Sequence, residues 1–442
     1  MTTRTRTSQR DAAVAIVKRL QEAGHVAYLA GGCVRDTLLG IEPKDYDVAT
    51  DARPDVVRRL FPRSQFVGEA FGVVLVYELR QAIEVATFRK EWGYTDGRRP
   101  DGVDFTDAEH DAQRRDFTIN GLFADPFAEP RETAGGSTAS PLGEIGRIID
   151  YVGGRKDLDA KLIRAVGDPA ERFAEDYLRM LRAVRFAARL NFELESRTAM
   201  AIRPLTKYLG QISRERIGQE VQMMLLHPTA VAATQLLEQL RLDAPVLNEE
   251  HRDTTPHVLS RLIEQTSNDA EYPARLLAWM LDRHVRGLKM CDLRPVVEFT
   301  HRGATRAIGR WRKALCLSNE TRDTVRDSLA LIATLAGWDD AGKAQRKRWL
   351  ALPVREQAMH LLAAITTAEW FEPLQQQTAA LLEEGVAPLA YVNGEDLIAR
   401  SLKPGPRFKT LLDSVYDAQL DGRVQSRPEA LAFLDAMLAG KT

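Results

Sequence analysis

Residues 28–50 read YLAGGCVRDTLLGIEPKDYDVAT, and this stretch decides the fold of the first part of the chain. An apolar run ends at a Gly-Gly turn, a helix-like segment follows, and DYD begins a second apolar run. The pattern predicts a strand over 25–30, a helix beginning over 34–39 and a second strand over 45–50. Because side chains alternate along a strand, Asp45 and Asp47 should share a face, roughly 6–7 Å apart.

The turn and the aspartate pair indicate chemistry on phosphates. Asp45 and Asp47 offer the oxygen ligands of Mg²⁺, an ion that is commonly shared between one or two carboxylates and substrate phosphates. Gly31 and Gly32 would present backbone N–H groups near a helix N-terminus, and Arg35 could contact a phosphate through two donors. Together these features favour metal-assisted nucleotidyl transfer. A common glycine turn beside a charged edge strand is the structural alternative.

Two later segments supply further polar groups. Glu84, in IEVATFR, lies on a predicted strand and is a candidate third carboxylate, although a surface glutamate at a strand edge explains it equally well. RRDFTIN brings Arg115, Asp116 and Asn120 within two turns. Arginine suits a triphosphate and a carboxylate suits a ribose hydroxyl. A solvated charged turn is the alternative here.

The composition is that of a globular protein. The chain has 442 residues, of which 44% are hydrophobic and 28% charged, and a net charge of −1. Any nucleic acid would therefore bind to local basic patches. Three scattered cysteines indicate neither a disulfide framework nor a zinc site. No apolar run has the length of a membrane span and no secretory signal is evident, so we expect a cytoplasmic protein.

The organisation along the chain is an α/β head followed by helices. FGVVLVYEL and AIEVATF predict a hairpin, and a Gly/Ser/Thr-rich loop follows at 131–145. IIDYVGG predicts one more strand and a turn. Beyond about residue 157 the apolar spacing is helical, as in AEDYLRMLRAVRFAARL and ERIGQEVQMMLL. The predicted fold class is α+β, a mixed sheet with helices and then a long all-helical remainder.

The head is followed by a predicted helix that carries both acidic and basic side chains. EDYLRMLRAVRF would place Glu175, Asp176, Arg179 and Arg182 on successive helical turns, with Asp176 and Arg179 on one face. One offers acceptors and the other donors, which complements the amino and ring-nitrogen edges of cytosine and adenine and rejects uracil and guanine. An ordinary salt bridge on a surface helix is the alternative.

The ordered set GGCVRD, DYD, IEVATFR, RRDFTIN and EDYLRMLRAVRFAARL closely resembles the bacterial-type class II tRNA nucleotidyltransferases, the CCA-adding enzymes and the related bacterial poly(A) polymerases. The resemblance covers roughly residues 25–225 and resumes in VNGEDLIARSLKPGPRFKTLLDSVYDAQLDGRV. It implies a polymerase-β-like catalytic head, a neck that selects the base, a helical body and a tail that binds tRNA. These parts would span 1–150, 151–225, 226–350 and 351–442.

The resemblance also implies roles for the residues of the head. Asp45 and Asp47 would hold two Mg²⁺ ions, and the Gly31–Gly32 turn and Arg35 would serve the triphosphate. The attacking group would be the 3′-hydroxyl of an RNA.

The other matched residues would bind the nucleotide. Asp116 would contact the ribose, and Arg115 and Asn120 would help to hold the phosphates. Asp176 and Arg179 would read the base, with Glu175 and Arg182 supporting them.

The expected substrates are CTP, ATP and the 3′ end and elbow of tRNA, without a membrane partner; no feature indicates an oligomeric state. The Gly-rich stretch 90–110 is read as a polar loop, and the resemblance implies that such a loop here favours an enzyme that can add A. The dipeptide His110-Asp111 is interpreted as surface.

Several alternatives stay open. One is a poly(A) polymerase, against which stands VGEAFGVV at 67–74 where that branch has a basic motif. Another is an enzyme that adds only the terminal A. A third, from a different class, is a non-catalytic RNA- or nucleotide-binding protein, against which the intact Asp45 and Asp47 pair counts. Small-molecule nucleotidyltransferases share the head but do not need the long helical remainder.

Overall fold

The computed structural model describes residues 8–68, 72–93, 102–128, 145–285 and 292–440. The chain divides into two compact units. Unit 1 comprises Met1–Met224 and Ala232–His251, and unit 2 comprises Leu225–Val231 and Arg252–Thr442. The division into four parts, expected from the resemblance, stays a prediction.

All the strands of the described residues belong to the first half of the chain. They are β1 Ala27–Ala30, β2 Asp47–Thr50, β3 Ser64–Gly68, β4 Val73–Glu78, β5 Gln81–Thr87, β6 Arg89–Trp92, β7 Gly102–Phe105, β8 Leu122–Asp125, β9 Arg147–Asp150, β10 Leu162–Ile163 and β11 Glu193–Leu194.

The helices that begin before residue 250 are α1 Gln9–Glu22, α2 Gly32–Leu38, α3 Pro54–Leu60, α4 Ala108–Gln113, α5 Gly154–Asp159, α6 Pro169–Glu175, α7 Arg179–Leu190, α8 Ser196–Leu205, α9 Arg214–Leu225, α10 Ala230–Gln239 and α11 Asp243–Leu247. Short 3₁₀ turns lie at Thr118–Asn120 and Thr206–Gln211.

The later helices are α12 His257–Gln265, α13 Tyr272–His284, α14 Arg294–Arg302, α15 Ala304–Ala314, α16 Asn319–Leu335, α17 Lys343–Leu350, α18 Arg355–Ile365, α19 Ala368–Glu384, α20 Gly394–Ile398, α21 Pro406–Leu420 and α22 Arg427–Leu438.

Seven strands form one mixed sheet in the order β3-β4-β5-β2-β1-β8-β9. The pairing of β2 with β5 is parallel and the other pairings are antiparallel. The register pairs Ala30 with Asp47, so the chain leaves β1 for the glycine turn directly beside the first residue of β2. Val48 pairs with Val85, which brings Asp47 and Glu84 to neighbouring positions on adjacent strands.

Helix α1 covers one face of the sheet. Ser8 caps its N-terminus in a capping box with Asp11, and the residues it buries recur at helical spacing: Ala12, Ala13, Ile16, Val17 and Leu20. They join a hydrophobic cluster with apolar residues of β1, β2, β4, β5 and β8. The opposite face has its own cluster, in which the rings of Phe88 and Phe123 lie 5.8 Å apart. Burial on both faces explains the nearly continuous apolar runs of the central strands.

The predicted α/β head followed by helices is confirmed, with local corrections. The stretch 90–110 is not simply a loop, because β6 and β7 pair as an antiparallel ribbon and α4 begins at Ala108. The central part of that stretch, 94–101, lies outside the described residues, as does all but the last residue of the loop predicted at 131–145. β3 and α3 were not predicted. The strand expected over 45–50 begins only at Asp47, so Asp45 precedes it.

Unit 2 is helical throughout its described residues. Trp279 and Trp311 are fully buried there with ring centroids 5.0 Å apart, and α12, α13, α16 and α18 pack around one another. A second hydrophobic cluster forms between residues 392 and 434. Of the helices described, none combines the length and the apolar character needed to cross a bilayer.

Gly154, at the start of α5, lies against the 3₁₀ turn that carries Asn120. A Cβ atom there would be 2.2 Å from the backbone oxygen of Thr118, a contact that only a backbone shift could relieve. We therefore expect Gly154→Ala to lower the free energy of unfolding by about 1–3 kcal/mol in urea titrations. Gly210→Ala is the matched control, because nothing lies within 4 Å of its added Cβ. Equal stability of the two variants would contradict this packing argument.

Candidate active site

A cavity of about 550 Å³ in unit 1 brings most of the predicted site residues together. Its lining contains nine arginine and lysine side chains against five aspartates, so it favours an anionic ligand. The predicted residues that line it are Gly31, Gly32, Arg35, Asp45, Asp47, Arg115, Asp116, Asn120, Asp176, Arg179 and Arg182. Glu84 is not part of the lining. It lies on β5, at the position next to Asp47 of the neighbouring strand β2.

Asp45 and Asp47 form the acidic edge of the cavity. Both side chains are exposed and the intervening Tyr46 is buried, so the two carboxylates share a face as predicted. Although solvent reaches Asp47, the desolvation imposed by the surrounding protein and the nearby charge of Glu84 raise its pKa to about 6. Arg115 opposes this shift and Asp45 adds to it.

This donor set fits a divalent cation. The carboxylates repel one another, which a bound cation would relieve, and they offer oxygen ligands alone. Among the described residues no group of three or more His, Cys, Asp or Glu side chains has the arrangement of a metal site. A site in which two aspartates share the ion with oxygens of the substrate needs no third protein ligand. Mg²⁺-type sites commonly use one or two protein carboxylates.

The Gly-Gly turn approaches the arginines closely. Gly31 has φ 70° and ψ −120°, and a Cβ atom there would be 2.6 Å from Nη1 of Arg115, so both backbone and space require glycine. The Gly31 N–H donates to the Leu122 carbonyl at 2.9 Å, which corrects the expectation that it is free for phosphate. The Gly32 N–H lies in the first turn of α2, where amides have no intrahelical acceptor.

Arg35 lies beneath the cavity and is only 3% exposed. It donates to Asp36 at 2.7 Å and to the side-chain oxygen of Asn120 at 2.5 Å. Asn120 in turn donates to Asp116 at 2.9 Å. Arg35 therefore orients Asn120 in this structure, and direct contact of Arg35 with a phosphate stays a prediction.

Asp116 is the most heavily bonded carboxylate of the cavity. Its Oδ1 accepts from the Phe117 N–H and from Asn120, and its Oδ2 accepts from Nε of Arg182 at 2.8 Å. Nη2 of Arg182 lies 2.8 Å from the same oxygen and completes a salt bridge. Burial alone would raise the pKa of Asp116, but the charge of Arg182 and the hydrogen bonds from Asn120 and Arg182 lower it to about 2. Asp116 thereby joins the RRDFTIN segment to α7.

Arg182 hydrogen-bonds to Asp116, and its expected support of Asp176 and Arg179 stays a prediction. Besides Asp116, it approaches Glu220 of α9 at 3.8 Å, and Glu220 also accepts from Arg185 at 2.6 Å. Glu220 is 4% exposed, so this buried carboxylate holds two arginines of α7.

The interpretation of His110-Asp111 as surface is wrong for the aspartate. His110 is exposed and pairs with Asp107, but Asp111 is 1% exposed. Asp111 accepts from Arg114 at 2.7 Å and from Arg115 at 3.1 Å. Burial would raise the pKa of Asp111, but these two arginines lower it. The buried carboxylate thus positions two cations of the cavity wall.

The continuous helix predicted over EDYLRMLRAVRF is also wrong. α6 ends at Glu175, Asp176 has extended backbone angles, and α7 begins at Arg179. Asp176 and Arg179 still line one cavity, although they do not lie on successive helical turns. Glu175 does support Arg179, through an ion pair, as expected.

Some lining residues were missed or not assigned a role. Arg185 and Arg189 continue the basic spacing of α7 and also line the cavity. Arg216, from α9, is distant in sequence and carried no such signal.

Comparisons with known proteins identify the class. The profile described as "Poly A polymerase head domain" matches residues 27–164, and "Probable RNA and SrmB- binding site of polymerase A" matches residues 191–252. The mixed sheet with its acidic edge and the helices that follow are therefore those of a nucleotidyltransferase with a polymerase-β-like head, which confirms the predicted fold class.

Relatives over the whole length are named CCA-adding enzyme. Those of Geobacillus thermodenitrificans and Geobacillus stearothermophilus are each 34% identical over 95% of this chain and 95% of their own length. The crystal structure of the Bacillus stearothermophilus CCA-adding enzyme in complex with CTP is 29% identical, with a TM-score of 0.70 over 98% of this chain and 99% of that one. This chain belongs to the CCA-adding enzyme family of tRNA nucleotidyltransferases, a family whose chemistry depends on divalent metal.

The depressed pKa of Asp116 predicts how stability depends on pH. The folded value of about 2 lies below the ordinary value of 3.8. Ionised Asp116 therefore contributes about 2 kcal/mol above pH 4, which is lost as the pH falls toward 2. In urea titrations, Asp116→Asn should be less stable than the unmodified chain by a constant amount at pH 7 and 5 and by a smaller amount at pH 3.5.

The control for this prediction is Asp55→Asn, because Asp55 is 68% exposed and pairs only loosely with Arg59. Its stability should match that of the unmodified chain at each pH. A difference between the Asp116 variant and the unmodified chain that does not narrow at pH 3.5 would contradict the prediction.

Proposed function

We propose that this chain adds C, C and A to the 3′ end of tRNA from CTP and ATP, without a nucleic-acid template and with release of pyrophosphate. The observation that carries the proposal is the single cavity that joins the carboxylates of Asp45 and Asp47 to the polar pair Asp176 and Arg179. Transfer chemistry and base selection need these two groups within the reach of one nucleotide. The full-length relatives named CCA-adding enzyme support the same function.

Asp45 and Asp47 are the proposed ligands of Mg²⁺, with Glu84 beside them as a third carboxylate. When bound there, Mg²⁺ would make the 3′-hydroxyl of the RNA easier to deprotonate and would neutralise charge on the pyrophosphate. The raised pKa of Asp47 supports this assignment, because desolvation and the nearby charge of Glu84 both disfavour the bare carboxylate, which a bound cation would stabilise.

The basic wall is the proposed site of the triphosphate. Arg115 is held by Asp111 and by the backbone oxygen of Asn120, at 3.1 Å from each, so its guanidinium is already oriented before a ligand enters. An oriented arginine loses little freedom when it meets a phosphate. The Gly31–Gly32 turn would let the phosphates approach the same wall, and Asn120, held by Arg35, would add a polar contact.

Asp116 is assigned to the ribose by the family resemblance. Its three hydrogen bonds and its salt bridge to Arg182 make it a rigid part of the wall, so a ribose hydroxyl would join an existing network. Arg182, bound to Asp116, would transmit that position to α7. The expected binding of tRNA by the later helices and a cytoplasmic location also stay predictions.

The direct test is nucleotide addition to three tRNA transcripts that end before CCA, after C and after CC. Each would receive CTP, ATP or both with Mg²⁺, and products would be resolved at single-nucleotide length. Stepwise addition of C, C and A that then stops is the expected result. Addition of A only to the CC-ended tRNA would identify an A-adding enzyme, and long A tails would identify a poly(A) polymerase. Nucleotide binding without extension would leave a non-catalytic binding protein.

Asp47→Asn tests the carboxylate pair. We expect kcat for CTP addition to fall on the order of a thousandfold or more, because an amide cannot replace a charged metal ligand. Asp55→Asn, which removes an exposed carboxylate outside the cavity, is the matched control and should retain full activity. Unchanged kcat in the Asp47 variant would refute the proposed role.

Metal removal gives an independent measurement. Chelation with EDTA should abolish addition to every tRNA transcript, and an excess of Mg²⁺ should restore it, because the two aspartates offer only oxygen ligands. Full activity in EDTA would refute the assignment of Mg²⁺.

A further inference from the structure

The two residues proposed to read the base are held by different partners. The chain breaks its helix between α6 and α7, and Asp176 there has extended backbone angles, with φ −151° and ψ 104°. The backbone N–H of Leu178 donates to its Oδ1 at 3.0 Å. Asp176 is therefore at a turn, where its orientation depends on side-chain contacts.

Arg216, from the first turn of α9, supplies the charged contact. Its Nη2 donates to Oδ2 of Asp176 at 2.6 Å and its Nη1 approaches Oδ1 at 3.3 Å. Both side chains line the cavity and both are largely buried, at 24% and 15% exposure. A two-point contact between a guanidinium and a carboxylate fixes the plane of the carboxylate as well as its distance.

The guanidinium of Arg179 is oriented by a different set of contacts. It forms an ion pair with Glu175, and it donates to the carbonyl of Arg172 at 2.8 Å and toward the carbonyl of Arg114 at 3.4 Å. In these contacts the side chains of the proposed donor and the proposed acceptor have different partners, so a change at Arg216 would act first on the acceptor.

We propose that Arg216 is a positioning residue that determines base specificity by fixing the carboxylate plane of Asp176. This inference rests on the proposed function. With both oxygens engaged by Arg216, the remaining lone pairs of Asp176 have fixed directions, and an amino group at the cytosine or adenine edge meets an acceptor in place. Uracil and guanine carry a carbonyl at that position, so two acceptors would face each other with no hydrogen atom to share, and these bases would be rejected.

Loss of Arg216 should therefore affect selectivity more than turnover. A carboxylate freed from its clamp can rotate toward Arg179, where it would occupy donors intended for the base. The enzyme would still hold the triphosphate and the carboxylates of the acidic edge. Cytosine would then lose a well-placed acceptor for its amino group. The carbonyl of uracil would no longer face a fixed carboxylate oxygen, so the ratio of kcat/KM for CTP to kcat/KM for UTP should fall.

The experiment compares kcat/KM for CTP and UTP on tRNA ending before CCA, in the full-length chain and in three variants. Arg216→Gln removes the charge, and Arg216→Lys keeps the charge but not the two-point contact. Arg197→Gln removes an arginine of unit 1 that is 71% exposed and lies 3.8 Å from Asp168, outside the cavity. We expect the CTP-to-UTP ratio to fall about tenfold or more in Arg216→Gln, to fall less in Arg216→Lys and to stay constant in Arg197→Gln.

A CTP-to-UTP ratio within threefold of that of the unmodified chain would overturn the inference. A purely structural role of Arg216 would give this result, because kcat/KM for both substrates would fall equally. If the Gln variant does not fold, the Lys variant decides on the same threshold. Equilibrium binding of CTP and UTP, measured without tRNA, separates the two proposals. If the unmodified chain extends no tRNA but still prefers CTP, loss of that preference in Arg216→Gln would support the inference even though the proposed function had failed.

Discussion

The bonds of Asp116 are the interaction on which the rest of the cavity depends. This one buried carboxylate accepts from Asn120 on the side of the sheet and from Arg182 on α7, so it joins the segment that ends at β8 to the helix that forms the opposite wall. A buried arginine without such a partner would cost several kcal/mol. Because Arg182 also approaches Glu220, the position of α9 relative to α7 follows from the same charge balance.

Carboxylates that are each shared by two arginines explain how the cavity wall can hold more cations than anions. Asp111 holds Arg114 and Arg115, Asp36 holds Arg35 and Arg189, and Glu220 holds Arg182 and Arg185. In each case one carboxylate serves two guanidiniums, so the group keeps a net positive charge beside the cavity. An anionic ligand would balance this excess charge, so the electrostatic cost of assembling the arginines is offset when the ligand enters.

The sequence predicted the parts of the site that are local in the chain. The Gly-Gly turn, the shared face of Asp45 and Asp47 and the β4–β5 hairpin follow from alternation and turn chemistry, which act over a few residues. The interruption at Asp176 was missed, because the apolar spacing of AEDYLRMLRAVRFAARL continues through it. Asp176 there accepts from the nearby Leu178 N–H and from the distant Arg216, and the second contact leaves no signal in the sequence. Asp111 was misread although its two arginine partners are local, three and four residues further on, because the dipeptide itself gave no sign that the aspartate is buried.

That interruption has a chemical reason. Had Asp176 and Arg179 stood three residues apart on one helix, their nearest partners would have been each other, and an internal salt bridge would have competed with the base for the same donors and acceptors. The turn between α6 and α7 separates them, and Arg216 and Glu175 then neutralise them one at a time. Each keeps polar atoms that can face a ligand, and both are already oriented. A protein that selects a base without a template strand needs this rigidity, because a flexible acceptor would adapt to the wrong edge as readily as to the right one.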